Sequence, residues 1–378
     1  MTPVKRVVIL GGGVGGTIVA NLLARRVKDA DITVVDRTGK HVYQPGFLYV
    51  AFGRMKPERL VRDERTLLHR RVKLVLGDVA RVDAKAKEVI LQDGDVIPYH
   101  YLVIATGAEI VPDGIPGHQA AHQFYSIQGA LRLREALRNF PGGHIVVAIG
   151  GVPYKCPPAP AEAACLLDYH FAKLGRREKV RIHYLSPLGR VFPIESFSPK
   201  VQELFERKGV KYTTFFNVER VDPIAKVVHS LEGESIPFDL LILVPPHRGV
   251  AFAKASGLAD AGGWIPTDKH TLEVKGHEGS IWALGDATDI PISKSGAAAH
   301  FEAKVVAKNV AARLRGQTPT ARYGGRVFCF FDAGFRRASA LRFDYGHPPP
   351  PMAVSRRWYL GKMLMNRLYW TLIPKARA

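Results

Sequence analysis

Residues 7–16 read Val7-Val8-Ile9-Leu10-Gly11-Gly12-Gly13-Val14-Gly15-Gly16, and a helix-forming stretch, Thr17 to Arg26, follows at once. The four apolar residues predict a buried parallel strand. Gly11, Gly13 and Gly16 match G-x-G-x-x-G, a spacing that permits a tight turn and lets backbone close on a pyrophosphate. The N–H groups and positive dipole end of the next helix would hold the phosphates. A second strand, Ile32 to Val35, ends at Asp36, twenty residues past Gly16, where a ribose hydroxyl needs an acceptor. Glycine spacing alone is a weak signal. Strand, turn, helix, strand and acid in register predict an α/β fold with a dinucleotide site, and a plain βα turn would need no acid there.

Two later segments repeat the strand-to-turn form. Tyr101-Leu102-Val103-Ile104 runs into Ala105-Thr106-Gly107, and Ser280-Ile281-Trp282-Ala283-Leu284 runs into Gly285-Asp286-Ala287. Both resemble the FAD segments of two-domain flavoprotein reductases, the pyridine nucleotide-disulfide reductase superfamily, over most of the chain. The resemblance implies FAD in a domain split in sequence, with Asp286 against the ribityl chain. The contacts it implies are Gly11, Gly13, Gly16, Asp36, Arg37, Pro45, Ala105, Thr106, Gly107, Gly285, Asp286 and Lys294. Pro45 lies in Tyr43-Gln44-Pro45-Gly46-Phe47, which resembles the loop beside flavin and quinone of the quinone-reducing members and is otherwise a Gly/Pro turn.

The middle of the chain has a second strand, His144 to Ile149, but its turn reads Gly150-Gly151-Val152-Pro153-Tyr154-Lys155-Cys156-Pro157-Pro158-Ala159-Pro160. In either register, non-glycine residues occupy the later glycine positions, and the prolines remove N–H donors. The strand Val180 to Leu185 ends in Ser186-Pro187 without a ribose-binding acid. The expected organisation is therefore two Rossmann-like domains. The FAD domain comes in two parts, 1–110 and 246–320, around a second unit, 111–245, that lacks a nicotinamide fingerprint. Residues 321–378 form a C-terminal region with redox cysteine and membrane attachment.

Cys156 stands where the second glycine turn would be, before a helix from Ala159 to Leu174, and beside Lys155. A thiol there is expected to have a lowered pKa. Cys329, in Val327-Phe328-Cys329-Phe330-Phe331-Asp332-Ala333-Gly334, is the second candidate, and Cys165 reads as a buried structural residue. Cys156 with Glu162 six residues on, Lys294-Ser295-Gly296, and a late Cys-x-x-Asp-x-Gly together resemble sulfide:quinone oxidoreductases, whose sister family is the flavin subunit of flavocytochrome c sulfide dehydrogenase. That resemblance implies Cys156 and Cys329 as a disulfide or sulfur-bridged pair beside FAD, attacked by hydrosulfide. One cysteine becomes a persulfide, and electrons pass through FAD to quinone near Phe330 or Phe331. Glu162 would move protons or cap its helix, and Lys294 would place charge near flavin or quinone. Many members carry a further cysteine where this chain has Phe124-Tyr125-Ser126, and some have a bulky residue at Ala297. His300 reads as packed rather than catalytic.

Composition bounds the rest. The 378 residues, 47% hydrophobic and 23% charged, exclude disorder and collagen-like repeats, and three cysteines exclude a disulfide scaffold. The net charge of +20 favours an anionic partner: nucleic acid, an acidic membrane surface or a small anion. No run of about 18 apolar residues predicts a spanning helix, and the N-terminus leaves no room for a secretion signal. After Pro348–Pro351 comes a basic, aromatic stretch with Arg356, Arg357, Lys362, Arg367, Lys375 and Arg377 and no acid. Its aromatics suit a membrane interface and its cations anionic headgroups, which predicts peripheral, monotopic attachment to a prokaryotic cell membrane. A helix docked on the core or on a second copy, as in a homo-oligomer, is the alternative. The rival functions are a soluble flavocytochrome c-type sulfide dehydrogenase, a type II NADH:quinone dehydrogenase, and a nucleic-acid-binding flavoprotein. The reading adopted has no metal and no nucleic-acid partner.

Overall fold

The computed structural model describes residues 4–377. Val7, Val8, Ile9 and Leu10 are each at most 1% exposed, because the strand Lys5–Leu10 lies inside a five-stranded parallel sheet. Its neighbours are Ala30–Asp36 and Tyr101–Ile104, with Val72–Leu76 and Ile281–Ala283 at the two edges. The strand from residue 281 thus joins one sheet with strands from the first 104 residues. Strands covered on both faces read as continuous apolar runs, which is why these segments were legible. The helix Val14–Arg26 opens directly from the glycine turn and packs on the helix Gly296–Leu314.

A second parallel sheet has the order Val210–Thr213, Val180–Leu185, Gly143–Ile149, Leu240–Val244. Each parallel sheet is accompanied by a three-stranded meander, Val79–Asp83, Glu88–Leu91, Val96–Pro98 in one case and Val218–Asp222, Val227–Ser230, Ser235–Pro237 in the other. The pleat is interrupted at the same step in both, between Val79 and Arg81 and between Val218 and Arg220. The sequence carries the same repeat, Val-x-Arg-Val-Asp followed by Ile-Pro.

The helix after Cys156 spans Ala159–Lys173 and ends before Gly175, whose φ of +65° suits a residue without Cβ. The last elements are a hairpin, Val327–Asp332 with Ala338–Phe343, and the helix Arg356–Leu372, capped by the Ser355 hydroxyl. Among the described residues no helix is long and apolar enough to cross a membrane.

Candidate functional site

Each glycine of the first turn has its own reason. Gly11 has φ +98°, and a Cβ there would lie 2.6 Å from the Ala105 carbonyl oxygen. A Cβ at Gly16 would overlap the Gly11 carbonyl, whereas one at Gly13 would meet nothing within 4 Å. Gly13 has an ordinary φ of −80°, so alanine is compatible with the backbone. We expect Gly13→Ala to fold with an unchanged melting point without cofactor and to bind FAD at least tenfold more weakly, since its methyl group enters the pyrophosphate cradle. Titration of the cofactor-free protein with FAD checks this.

Asp36 is fixed beside the turn. Its Oδ2 accepts from Gly12 N at 2.8 Å, and its Oδ1 accepts from Thr38 N at 2.9 Å and Gly39 N at 2.8 Å. Arg37, next in sequence, is exposed and pairs with Asp78 at 2.7 Å. Thr106 Oγ1 and Asp286 Oδ1 are buried without hydrogen-bond partners. Folded proteins rarely leave such atoms unsatisfied, and both belong to segments that the FAD resemblance singled out. A polar ligand along Asp36, Thr106 and Asp286 completes them, so the residues present fit FAD.

Burial pushes the Asp286 carboxyl up, opposed by the ammonium groups of Lys155 and Lys294. Lys294 Nζ donates to the carbonyls of Thr288 (2.6 Å) and Asp286 (3.2 Å) and lies 3.8 Å from the Trp264 ring centre. It therefore braces the Gly285–Thr288 turn. Glu302, missed in the sequence, braces the same turn from the helix behind it: it is fully buried, and its Oε2 accepts from Gly285 N at 2.5 Å. Burial raises its carboxyl from 4.5 to about 7. A raised folded value means stability that is full below about pH 4.5 and lost as pH rises through about 7. Relative to Glu302→Gln, wild-type is expected to lose up to about 3 kcal/mol between those limits, read from denaturant midpoints across pH.

The cysteines lie on other elements. Cys156 has φ +54°, a left-handed conformation uncommon outside glycine. Its loop is pinned by Cys156 N donating to the Lys294 carbonyl at 2.7 Å and Ala159 N donating to the Cys156 carbonyl at 2.8 Å. The first of these ties the cysteine loop to the Lys294-Ser295-Gly296 segment. Cys329 is on the first strand of the late hairpin. Both are free thiols, half-buried against the same apolar core. Between their elements lies a buried ion pair. Glu162 Oε1 accepts from Lys362 Nζ and from Asp332 N, each at 2.5 Å, with the Glu162 and Lys362 side chains 6% and 12% exposed. Asp332 in turn accepts from the Tyr49 hydroxyl at 3.1 Å and from Arg54 at 3.3 Å.

Burial dominates at Glu162 and pushes its carboxyl up, against the pull of Lys362. The same contact keeps Lys362 protonated well above its ordinary range, as so close a pairing requires. At Cys156, burial and the Glu162 charge push the thiol up to about 12, and at Cys329 burial, Cys156 and Glu162 push in the same direction. The expected lowering at Cys156 is therefore overturned. Lys155 Nζ lies against the Ala108 carbonyl (3.3 Å) and Gln44 Oε1 (3.5 Å), and Lys362, the cation that does act on the thiol, is outweighed by burial.

Residues 5–303 match the family described as pyridine nucleotide-disulphide oxidoreductase. The chain belongs to this family. It is an FAD-binding oxidoreductase, and the glycine turn and the unpartnered Thr106 and Asp286 oxygens fit that cofactor. It is 28% identical over 386 residues to the mitochondrial sulfide:quinone oxidoreductase of Mus musculus, covering 97% of this chain and 86% of that protein. Identity to the corresponding Dictyostelium discoideum protein is 27%, over 99% of this chain and 87% of the other. The structure of the sulfide:quinone oxidoreductase from the hyperthermophilic bacterium Aquifex aeolicus superimposes with a TM-score of 0.88 at 23% identity, covering 98% of this chain and 91% of that one.

Within this family member, several expectations change. Relatives come from mitochondria as well as bacteria, so they do not carry a prokaryotic location. The bridge between Cys156 and Cys329 is not formed here. Phe331 is fully buried against Phe192 and Phe197, because it alternates inward on its strand, whereas Phe330 is half-buried under the C-terminal helix beside Gly361 and Trp358. The tail aromatics Tyr369 and Trp370 are buried in the protein, against Tyr43 and His41, and do not face a membrane. Lys362, read as a headgroup cation, is the partner of Glu162. Cys165 and His300 are buried as expected.

The spacing of the tail held a signal for this. Tyr359, Lys362, Asn366 and Tyr369 stand at i, i+3, i+7 and i+10, one helix face, and bond inward to Arg54, Glu162, Tyr43 and His41.

Proposed function

We propose that the protein oxidises sulfide and delivers the electrons to quinone, with Cys156 and Cys329 as its redox pair. The observation that carries this reading is the setting of the two thiols. They lie against one core beside a buried Glu162–Lys362 pair, and the Cys156 loop, in place of a second glycine turn, is bonded to the Lys294 segment that braces the FAD turn. Resemblance to sulfide:quinone oxidoreductases over nearly the whole chain supports it.

In the oxidised resting state, hydrosulfide attacks the Cys156–Cys329 disulfide, forming a persulfide on one cysteine and releasing the other as thiolate. A second hydrosulfide takes the outer sulfur away as HSS⁻ and leaves one thiol and one thiolate. Their re-oxidation to the disulfide releases two electrons and one proton. FAD, when bound along Gly11–Gly16, Asp36 and Asp286, supplies the two-electron acceptor between the thiols and quinone. Glu162 takes a proton from a thiol, and Lys362, already protonated, holds the Glu162 carboxylate in place by donating to it. With thiols pushed up by burial, a neighbouring proton acceptor is needed to generate thiolate. Phe330 is the quinone contact assigned to the hairpin.

The tail supports attachment to a membrane surface, where a lipid-soluble quinone resides. Its polar residues bond inward, while Trp358, Leu360 and Leu364 are 40%, 65% and 56% exposed, alongside exposed Arg356, Arg357 and Arg367. Exposed apolar residues flanked by cations suit an interface with anionic headgroups. The division into an FAD domain (1–110 and 246–320), a second Rossmann-like unit (111–245) and a C-terminal region (321–378) belongs to the same reading. The strand from residue 281 in the first sheet and the repeated meander support it.

Anaerobic mixing with sulfide, with NADH in parallel and a short-chain quinone added afterwards, tests the function. Flavin absorbance bleached by sulfide and restored by quinone is the expected result. Bleaching by NADH alone would mean that the proline-interrupted turn still binds nicotinamide, and the sulfide reading would be abandoned.

A further inference from the structure

Three residues on one stripe of the helix Val14–Arg26, which opens at the glycine turn, are connected to the C-terminal segment. Thr17, Asn21 and Arg25 stand at i, i+4 and i+8. Arg25 donates to the carbonyls of Lys375 (2.7 Å) and Ala376 (3.2 Å), and Asn21 Nδ2 donates to that of Pro374 at 2.8 Å. Thr17 is reached through two buried side chains. Its hydroxyl donates to Glu64 Oε1 at 2.6 Å, Glu64 Oε2 is 3.0 Å from His41 Nδ1, and His41 Nε2 is 2.8 Å from the Tyr369 hydroxyl. Thr17, His41 and Glu64 are 0% exposed and Tyr369 is 7% exposed.

With His41 in the tautomer that donates from Nδ1, every member is satisfied. Tyr369 donates to Nε2, and Thr17 and Nδ1 both donate to the Glu64 carboxylate. At its other end the chain touches the glycine turn itself. The Thr17 hydroxyl also lies 3.1 Å from the Gly12 carbonyl and 2.8 Å from that of Gly13, and a Cβ at Gly12 would come within 3.1 Å of Glu64 Cγ. A continuous buried path therefore joins the pyrophosphate loop to a helix whose Tyr369 is 328 residues from His41 in sequence.

We propose that Glu64, His41 and Tyr369, acting through Thr17, are positioning residues for FAD that couple the glycine turn to the docked C-terminal helix. Undocking Tyr369 leaves His41 Nε2 without its donor and loosens the hold on Glu64 in a dry interior, where such losses are costly. Glu64 and Thr17 both rest against the glycine turn. FAD binding and helix docking then strengthen each other by the same factor, because linkage is reciprocal.

Two measurements on the full-length chain test this. In the first, the dissociation constant for FAD is measured by fluorescence titration of cofactor-free wild-type, Thr17→Val, Tyr369→Phe and the double variant. Each single change is expected to weaken FAD roughly three- to tenfold, and the double to be little worse than the stronger single, since both break one chain. Thr17→Ser, which keeps the hydroxyl, is expected to retain wild-type affinity. Lowered melting points of the cofactor-free variants with unchanged FAD affinity would show a merely structural role and overturn the proposal. Multiplying effects in the double would overturn it too.

In the second, trypsin cuts the wild-type tail at the exposed Arg356, Arg357 and Arg367. Saturating FAD is expected to slow this cleavage several-fold, and to slow it less in Tyr369→Phe. This arm needs no variant to fold: a wild-type cleavage rate indifferent to FAD ends the proposal.

Discussion

Cys156→Ser is expected to abolish the bleaching of bound flavin by sulfide, slowing it by at least about a thousandfold, and Cys329→Ser to do the same. The argument rests on chemistry that no neighbour can replace. An alkoxide leaving group is far poorer than a thiolate, and serine cannot form the disulfide that hydrosulfide attacks. Oxygen for sulfur is nearly isosteric, so the pinned loop from Cys156 N to the Lys294 carbonyl stays in place and FAD should remain bound at wild-type stoichiometry. Cys165→Ala is the matched control, because Cys165 is fully buried in the helix Ala159–Lys173 and takes no part in the proposed chemistry. Stopped-flow absorbance under anaerobic conditions reads all three. Rapid bleaching in Cys156→Ser would remove the redox pair from the mechanism even if sulfide proved to be the reductant.

Lys362→Met is expected to destabilise the protein by about 3–5 kcal/mol, the usual cost of removing one partner from a buried ion pair. Glu162 would keep only the Asp332 N–H as donor, inside a pocket that already pushes its carboxyl up. Glu162→Gln/Lys362→Met should recover much of the loss, since the neutral amide leaves no buried charge behind. Denaturant midpoints of wild-type, the two single variants and the double give the coupling directly. If Lys362→Met is as stable as wild-type, the pair is not closed in solution, and Glu162 loses the cation that would hold its carboxylate beside the thiols.

How much of this was readable in the sequence depended on how local each feature is. The glycine turn, Asp36, Ala105-Thr106-Gly107 and Gly285-Asp286 were legible because each constrains backbone or places one acid over a few residues. Buried parallel strands announce themselves as apolar runs. The lowered thiol pKa was argued from neighbours in sequence, Lys155 and the helix after Cys156, and failed on burial, which is a property of the packed chain. Glu302 carried no local mark that separates it from a surface glutamate on an amphipathic helix. Lys362 was grouped with its basic neighbours, and only the face it shares with Tyr359, Asn366 and Tyr369 sets it apart.

By itself, then, the sequence determined the glycine turn after the first strand, the apolar parallel strands of an α/β fold and a proline-interrupted turn after the strand Gly143–Ile149, because these follow from φ freedom, missing N–H donors and hydrophobic period. The tertiary structure alone decided which charges meet. Glu162 finds Lys362 200 residues away, His41 finds Tyr369, and the tail turns its hydrogen-bonding face inward and leaves Leu360 and Leu364 outside. Partners so distant in sequence are selected by whole-chain packing, and the dielectric that sets their protonation exists only after that packing is complete.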